Sequence, residues 1–219
     1  MPGEPERGTA DVVSAVLLCA ASGVVDAVGY VHSGLFAANM TGNTVLTGIA
    51  LAQRDWPHAI EGALVLVWFF AGAMAGRFLW DAGGARPLLP LCAEAAILAL
   101  CAFVDLRAAF ALGLLAFAMG IQAAAIARFA GTALSTVVVT STIVKLAEAN
   151  LDALVRLSGA RITKERVPIV LLLATWLAYG VGAVVAILAS AASYVSVALS
   201  AGLVIVVLVL RKDDIRSRA

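Results

Sequence analysis

The chain has 219 residues, of which 63% are hydrophobic and 13% charged, with a formal net charge of +1. Average soluble domains carry roughly 25% charged residues, so this chain has too few charges to coat a water-facing surface. A near-neutral balance also gives no electrostatic footprint for nucleic acid.

The few charges are unevenly placed: none falls from Ala108 to Ala127 or from Pro168 to Leu210. A spanning helix needs about 20 mostly apolar residues. A β-barrel would show alternating strands of about 10 residues, whereas these runs are continuous and rich in Ala and Leu. Helices satisfy every backbone group inside their own segment, so the sequence predicts an all-α, polytopic transmembrane helical bundle in a single domain, 1–219. Eight segments are expected: Val12–Val31, Leu35–Ala52, Ile60–Trp80, Leu88–Val104, Ala108–Ala127, Thr132–Ala149, Val167–Ala189 and Ala191–Leu210. Six are strongly apolar. The second and sixth are shorter and rich in Thr, Ser and Asn.

Ahead of the first segment, Arg7 stands against Glu4, Glu6 and Asp11. A cleaved signal begins with a basic stretch, so none is expected. Asp26 lies well inside the first segment, with Ser22, Gly23, Gly29 and Tyr30 on its helical face. A carboxylate at the bilayer centre costs about 3 kcal/mol on insertion scales, so Asp26 must face the bundle interior or a wet cavity. It serves there either as a functional group or as hydrogen-bonding glue between helices.

The second segment holds the densest polar patch at membrane depth. Read as a helix, it aligns Asn39, Asn43 and Thr47 in one stripe, flanked by Thr41 and Thr44. Such a stripe lines a substrate path or bonds to neighbouring helices. Gly42 lets the helix break or another backbone approach, and broken helices expose groups that bind ions and substrates. The third segment carries the small-residue motif Gly72-x-x-x-Gly76, with Glu61 and Arg77 near its ends. Glu94, in the fourth, is a second expected buried carboxylate. In the fifth, Gln122 is expected to face the same interior as Asp26. In the sixth, Thr136 and Thr140 share a face, and Lys145 is expected to pair with Glu148.

Cys19, Cys92 and Cys101 sit in apolar stretches without C-x-x-C spacing, so they read as small buried residues. His32 and His58 stand alone near segment ends, giving no metal site. No Walker loop, H-E-x-x-H or G-x-S-x-G motif appears. With no catalytic constellation, the expectation is a protein that is not an enzyme and uses no cofactor.

The positive-inside rule places both ends in the cytoplasm. If all eight segments span, lysine and arginine divide twelve to three; if the two polar segments are re-entrant and six span, thirteen to two. Charge bias therefore leaves the pass count open. The halves, approximately 12–104 and 108–210, resemble each other: Gly23-Val24 matches Gly120-Ile121, Thr41 to Val45 echoes Thr140 to Val144, and Trp68 with Gly72 matches Trp176 with Gly180. Four passes per half make an internal repeat parallel; three make it inverted, as in many secondary transporters.

Gly23-Val24-Val25-Asp26-Ala27, followed by Phe36 through Val45 with its core Asn39-Met40-Thr41-Gly42-Asn43-Thr44, resembles the YoaK family, bacterial multi-pass membrane proteins carrying a domain of unknown function. The likeness covers nearly the whole chain. A second signature runs from Gly120-Ile121-Gln122 to Thr136 through Thr142. There the chain departs from the family by Ala123 in place of Asn, and by Val137-Val138-Val139 where threonines are common. The resemblance implies a plasma-membrane protein and names no substrate. The residues point to a small secondary transporter moving a small molecule or ion through the lipid bilayer, singly or as a homo-oligomer. The alternative is a non-transporting scaffold or partner subunit whose buried polar groups serve packing.

Overall fold

The structure, a computed structural model, describes residues 9–84, 86–103, 109–129, 143–144, 147–148, 151, 169–189 and 193–217. They form seven helices: α1 (Thr9–Ser33), α2 (Met40–Ala52), α3 (Trp56–Ala82), α4 (Leu88–Cys101), α5 (Ala109–Phe129), α6 (Ile169–Leu188) and α7 (Ser193–Ser217). No strand occurs among the described residues. The expected segment Thr132–Ala149, with Thr136, Thr140 and Lys145, lies outside them apart from 143–144 and 147–148.

Four helices, α1, α3, α5 and α6, are long and apolar enough to cross a membrane; α4 and the Val195–Arg211 part of α7 are shorter apolar helices. The chain is thus a helical transmembrane protein. Burial separates core from periphery. Within their apolar windows α1 and α5 are each 67% buried, α3 and α6 each 28%. The outer face of α3 carries an exposed stripe of Ile60, Leu64, Val67, Phe70, Met74 and Phe78 at helical spacing, the surface that lipid tails require. Lipid gives helices no hydrophobic reason to associate, so close backbone packing must hold them.

Glycines supply that packing. A Cβ on Gly72 would overlap the backbone of Phe117, and one on Gly76 would lie 2.8 Å from the Ile121 Cα. Trp68 packs edge-on against Phe110 and Phe117. Contacts that climb α3 from Trp68 to Gly76 also climb α5 from Phe110 to Ala124, so the two helices run parallel. A matching seam joins α1 to α6, where Gly23 abuts the Tyr179 backbone and Gly182 abuts that of Ala20. The correspondence is residue by residue. Gly120 meets the Phe69 carbonyl as Gly23 meets that of Tyr179; Gly72 meets the Phe117 carbonyl as Gly182 meets that of Ala20. In each helix the two positions are three residues apart. The sequence had paired Gly72 with Gly180, but a Cβ on Gly180 meets nothing within 4 Å among the described residues. The seam therefore uses Gly182, two residues on.

Other contacts fix directions. The Gln122 side chain donates to the Leu18 carbonyl and the Ser22 hydroxyl, while Gly29 approaches Leu112. Climbing α1 thus means descending α5, so these helices are antiparallel. Arg211, near the end of α7, pairs with Asp11 at 2.6 Å and donates to Ser14 at 3.1 Å, which puts the start of α1 and the end of α7 together. The Ser196 hydroxyl donates to the Ala186 carbonyl across the α6–α7 hairpin.

Between α1 and α3 the chain doubles back. Gly34, at φ 73°, ends α1 with a left-handed turn that side chains with a Cβ resist. Residues 35–39 then return along α1, Leu35 and Ala37 passing over Gly29. The expected helix from Leu35 instead starts at Met40, because Asn39 caps it: the Asn39 Oδ1 accepts from the Gly42 N–H at 3.0 Å. Asn39 is therefore not part of a continuous helical stripe. Next, α2 runs against α3, with Thr47 on Gly62, and a tight turn at 53–55 joins them. Since α3 parallels α5 and α5 opposes α1, α2 climbs back towards the end at which α1 finished.

Candidate functional site

The doubling-back brings a broken backbone to a buried acid. Asp26 stands seven residues before the end of α1 and is 3% exposed. Its Oδ1 accepts from the N–H groups of Ala38 at 2.5 Å and Asn39 at 3.3 Å, just ahead of α2. Its Oδ2 accepts from the Tyr179 hydroxyl of α6 at 2.5 Å. These partners meet two physical needs. Residues 35–39 have no helix to satisfy their N–H groups, and an acid in an apolar span needs donors. The N-terminus of α2, where helix dipoles favour negative charge, faces the same carboxyl group.

Asn43, fully buried, completes the bend. Its Oδ1 accepts from the Phe36 N–H at 2.8 Å and its Nδ2 donates to the Phe36 carbonyl at 2.6 Å. The Thr44 hydroxyl donates to the Met40 carbonyl and that of Thr47 to the Asn43 carbonyl. Thr41 is exposed. Of the polar patch, then, Asn39 and Asn43 shape the bend, and Thr44 and Thr47 bond to their own helix.

A cavity of about 550 Å³ opens beside Asp26, between α1, α6 and Phe36. Asp26 and Tyr179 line it, with Tyr30 stacked on Phe36 at 4.9 Å between ring centroids. The remaining described walls are glycine, alanine, valine, isoleucine and leucine. Among the described residues no Lys, Arg or His lines it.

Gln122 comes close to this site: Ser22, its partner at 2.7 Å, precedes Asp26 by one turn. Glu94 does not. It is fully buried in α4, outside the Asp26 cavity, and neither of its oxygens has a hydrogen-bond partner among the described residues. Thr136 and Thr140 lie outside the described residues. Sequence reasoning missed Tyr179, whose only signal is a hydroxyl inside an otherwise apolar run. Among the described residues no group of three or more His, Cys, Asp or Glu is arranged to hold a metal ion.

Comparison with known proteins supports the helical membrane reading. The UPF0700 transmembrane protein YoaK of Bacillus subtilis (strain 168) is 32% identical over 146 residues, 60% of this chain and 64% of that relative. The chain thus matches just under two thirds of the relative's length. No solved structure matches. The family described as "Protein of unknown function (DUF1275)" matches residues 14–210, a span that takes in Asp26, the 35–39 bend and Tyr179. The chain belongs to the DUF1275 family.

Proposed function

We propose that this chain is a small secondary transporter of a bacterial plasma membrane, with Asp26 as the group that holds substrate or coupling proton. The observation that carries the reading is the buried Asp26 carboxyl, held by a broken backbone and by Tyr179 beside a cavity inside the apolar spans. Intramembrane carboxylic acids are costly and recur on substrate and proton pathways. Discontinuous helices near the middle of the bundle are where such transporters bind their cargo.

The proposed topology has six passes, with α2 as a re-entrant helix. The antiparallel α1 and α5, the parallel α3 and α5, and an α6 whose end meets the start of α7 while the end of α7 meets the start of α1, support an inverted repeat of α1, α3, α4 on α5, α6, α7. The matched glycine seams support the same pairing. Lysine and arginine then divide thirteen to two in favour of the side holding both ends, which supports cytoplasmic ends. The Asp11–Arg211 pair agrees with ends on one side.

A second reading, a scaffold or partner subunit, draws support from the polar side chains of the bend, which bond within the chain. Proteoliposomes loaded with a pH-sensitive dye and screened against small solutes separate the two. The transporter reading expects solute-driven proton flux that Asp26→Asn abolishes while the purified variant keeps its elution profile. Unchanged flux in Asp26→Asn rejects Asp26 as the coupling group. A variant altered only in thermal stability, with no solute moving a proton in wild type, favours the scaffold.

A further inference from the structure

We infer that Glu94 is a proton-exchange site, an acid that carries a proton inside the bundle and is separate from the Asp26 cavity. The inference goes beyond the transporter reading and does not depend on it. Glu94 is fully buried in α4, and neither of its oxygens has a hydrogen-bond partner among the described residues. Asp26, by contrast, has donors on both oxygens.

Structural roles for this acid fail on its surroundings. Glue between helices needs a partner on a neighbouring helix, and an ion pair needs a cation. α4 packs on α7 and α5 and, less closely, on α3. α5 carries no charged residue before Arg128, and α7 none before Arg211, which pairs with Asp11. Ahead of those two arginines the helices hold one titratable group, Tyr194 at the start of α7. On α3 the titratable groups are His58, Glu61, Arg77 and Asp81, all within its first or last two turns; Arg77 pairs with Asp81 and His58 with Asp55. α4 itself adds the thiols of Cys92 and Cys101. None of these groups bonds to Glu94.

The matched seams add a second observation. Gly72 with Gly182, and Phe69 with Tyr179, pair positions 110 residues apart. Carried along the chain, that spacing sets Leu91 on Ala201 and Glu94 on Val204, all four of them buried. The second half fills with valine, of nearly the same volume, the place that the first half gives to an acid. Packing therefore does not call for a carboxyl group there. An isolated carboxylate in apolar surroundings costs far more than a neutral acid, so the acid enclosed by α4, α5 and α7 is the protonated form. Its proton can leave only when water or a base reaches Glu94, and that requires α4 to part from its neighbours. Proton exchange is thereby tied to opening of the bundle, a use to which intramembrane acids are put on proton paths.

Infrared difference spectroscopy of the purified full-length protein at neutral pH provides the test. Wild type minus Glu94→Gln should show the carbonyl stretch of a carboxylic acid, and Asp26→Asn should keep that band. In D2O the whole band should shift to lower frequency as O–H becomes O–D. Should Glu94→Gln fail to fold, Glu94→Val, which copies the second half, serves in its place and should unfold at or above the wild-type midpoint. Carboxylate bands in place of the acid band overturn the proposal. So does an acid band lost in Asp26→Asn and kept in the Glu94 variants, which puts the proton on Asp26. An acid band that never shifts in D2O marks a sealed group and also overturns it. If neither Glu94 variant folds, the carboxyl group is structural and the proposal falls.

Discussion

Two glycines of α6, two residues apart, should respond oppositely to the same substitution. A Cβ on Gly182 would lie 2.9 Å from the Ala20 carbonyl carbon and 3.1 Å from its Cα. The optimum between carbon atoms is about 3.5–4.0 Å, and the Cβ would also overlap the Ala20 carbonyl oxygen, so Gly182→Ala must part α1 and α6 by about 1 Å or more or bend one of them. Overpacking of this kind costs about 1–3 kcal/mol. At roughly 2–4 °C per kcal/mol for a chain of this length, the midpoint should fall by about 2–12 °C. Among the described residues a Cβ on Gly180 meets nothing within 4 Å. Gly180→Ala should therefore show only the helix-propensity gain of about 0.5–1 kcal/mol and a midpoint at or above wild type. Thermal unfolding of the three proteins in one detergent measures both. If Gly180→Ala destabilises as much as Gly182→Ala, the register of α6 on α1 is wrong, and the Tyr179–Asp26 bond goes with it.

Two further outcomes follow from the bend and the helix directions. Asn43→Ala removes both bonds to the Phe36 backbone and should cost about 2–4 kcal/mol, whereas Thr41→Ala at an exposed site should stay within about 0.5 kcal/mol; equal unfolding midpoints would mean that Asn43 does not hold the bend. In a variant lacking Cys19, Cys92 and Cys101, a cysteine at Arg54 should react with an impermeant maleimide from outside the cell and one at Arg86 only after lysis. An Arg54 site shielded until lysis would restore the eight-pass alternative.

Much of the fold is legible in the sequence because hydropathy is a local property. The apolar runs, the Gly72–Gly76 packing motif and the interior placement of Asp26 and Gln122 all follow from residue type and helical spacing. The start of α2 at Met40 does not, because it depends on the Asn39 side chain turning back to cap Gly42. Tyr179 was hidden for another reason: its partner lies 153 residues away, and a hydroxyl in an apolar run looks the same paired or unpaired. Gly180 and Gly182 are likewise indistinguishable until α1 is laid against α6. The positive-inside count could not choose a pass number, since both arrangements put the excess on one side. Direction came instead from two long-range contacts taken together, Gln122 with Ser22 and Gly29 with Leu112.

The 153-residue separation of Asp26 and Tyr179 also sets a timetable for biosynthesis. At about 5–20 residues per second, the phenol leaves the ribosome roughly 8–30 s after the carboxyl group it will hold. Ala38 and Asn39 follow Asp26 by only 12 and 13 residues, about 1–3 s at the same rate. The returning segment is therefore the first shelter the nascent chain can offer its acid, and the second half of the protein arrives to a helix already furnished with internal donors. The bend that shapes the mature cavity is thereby also what lets an acidic first helix stay in the membrane while the remainder is still being made.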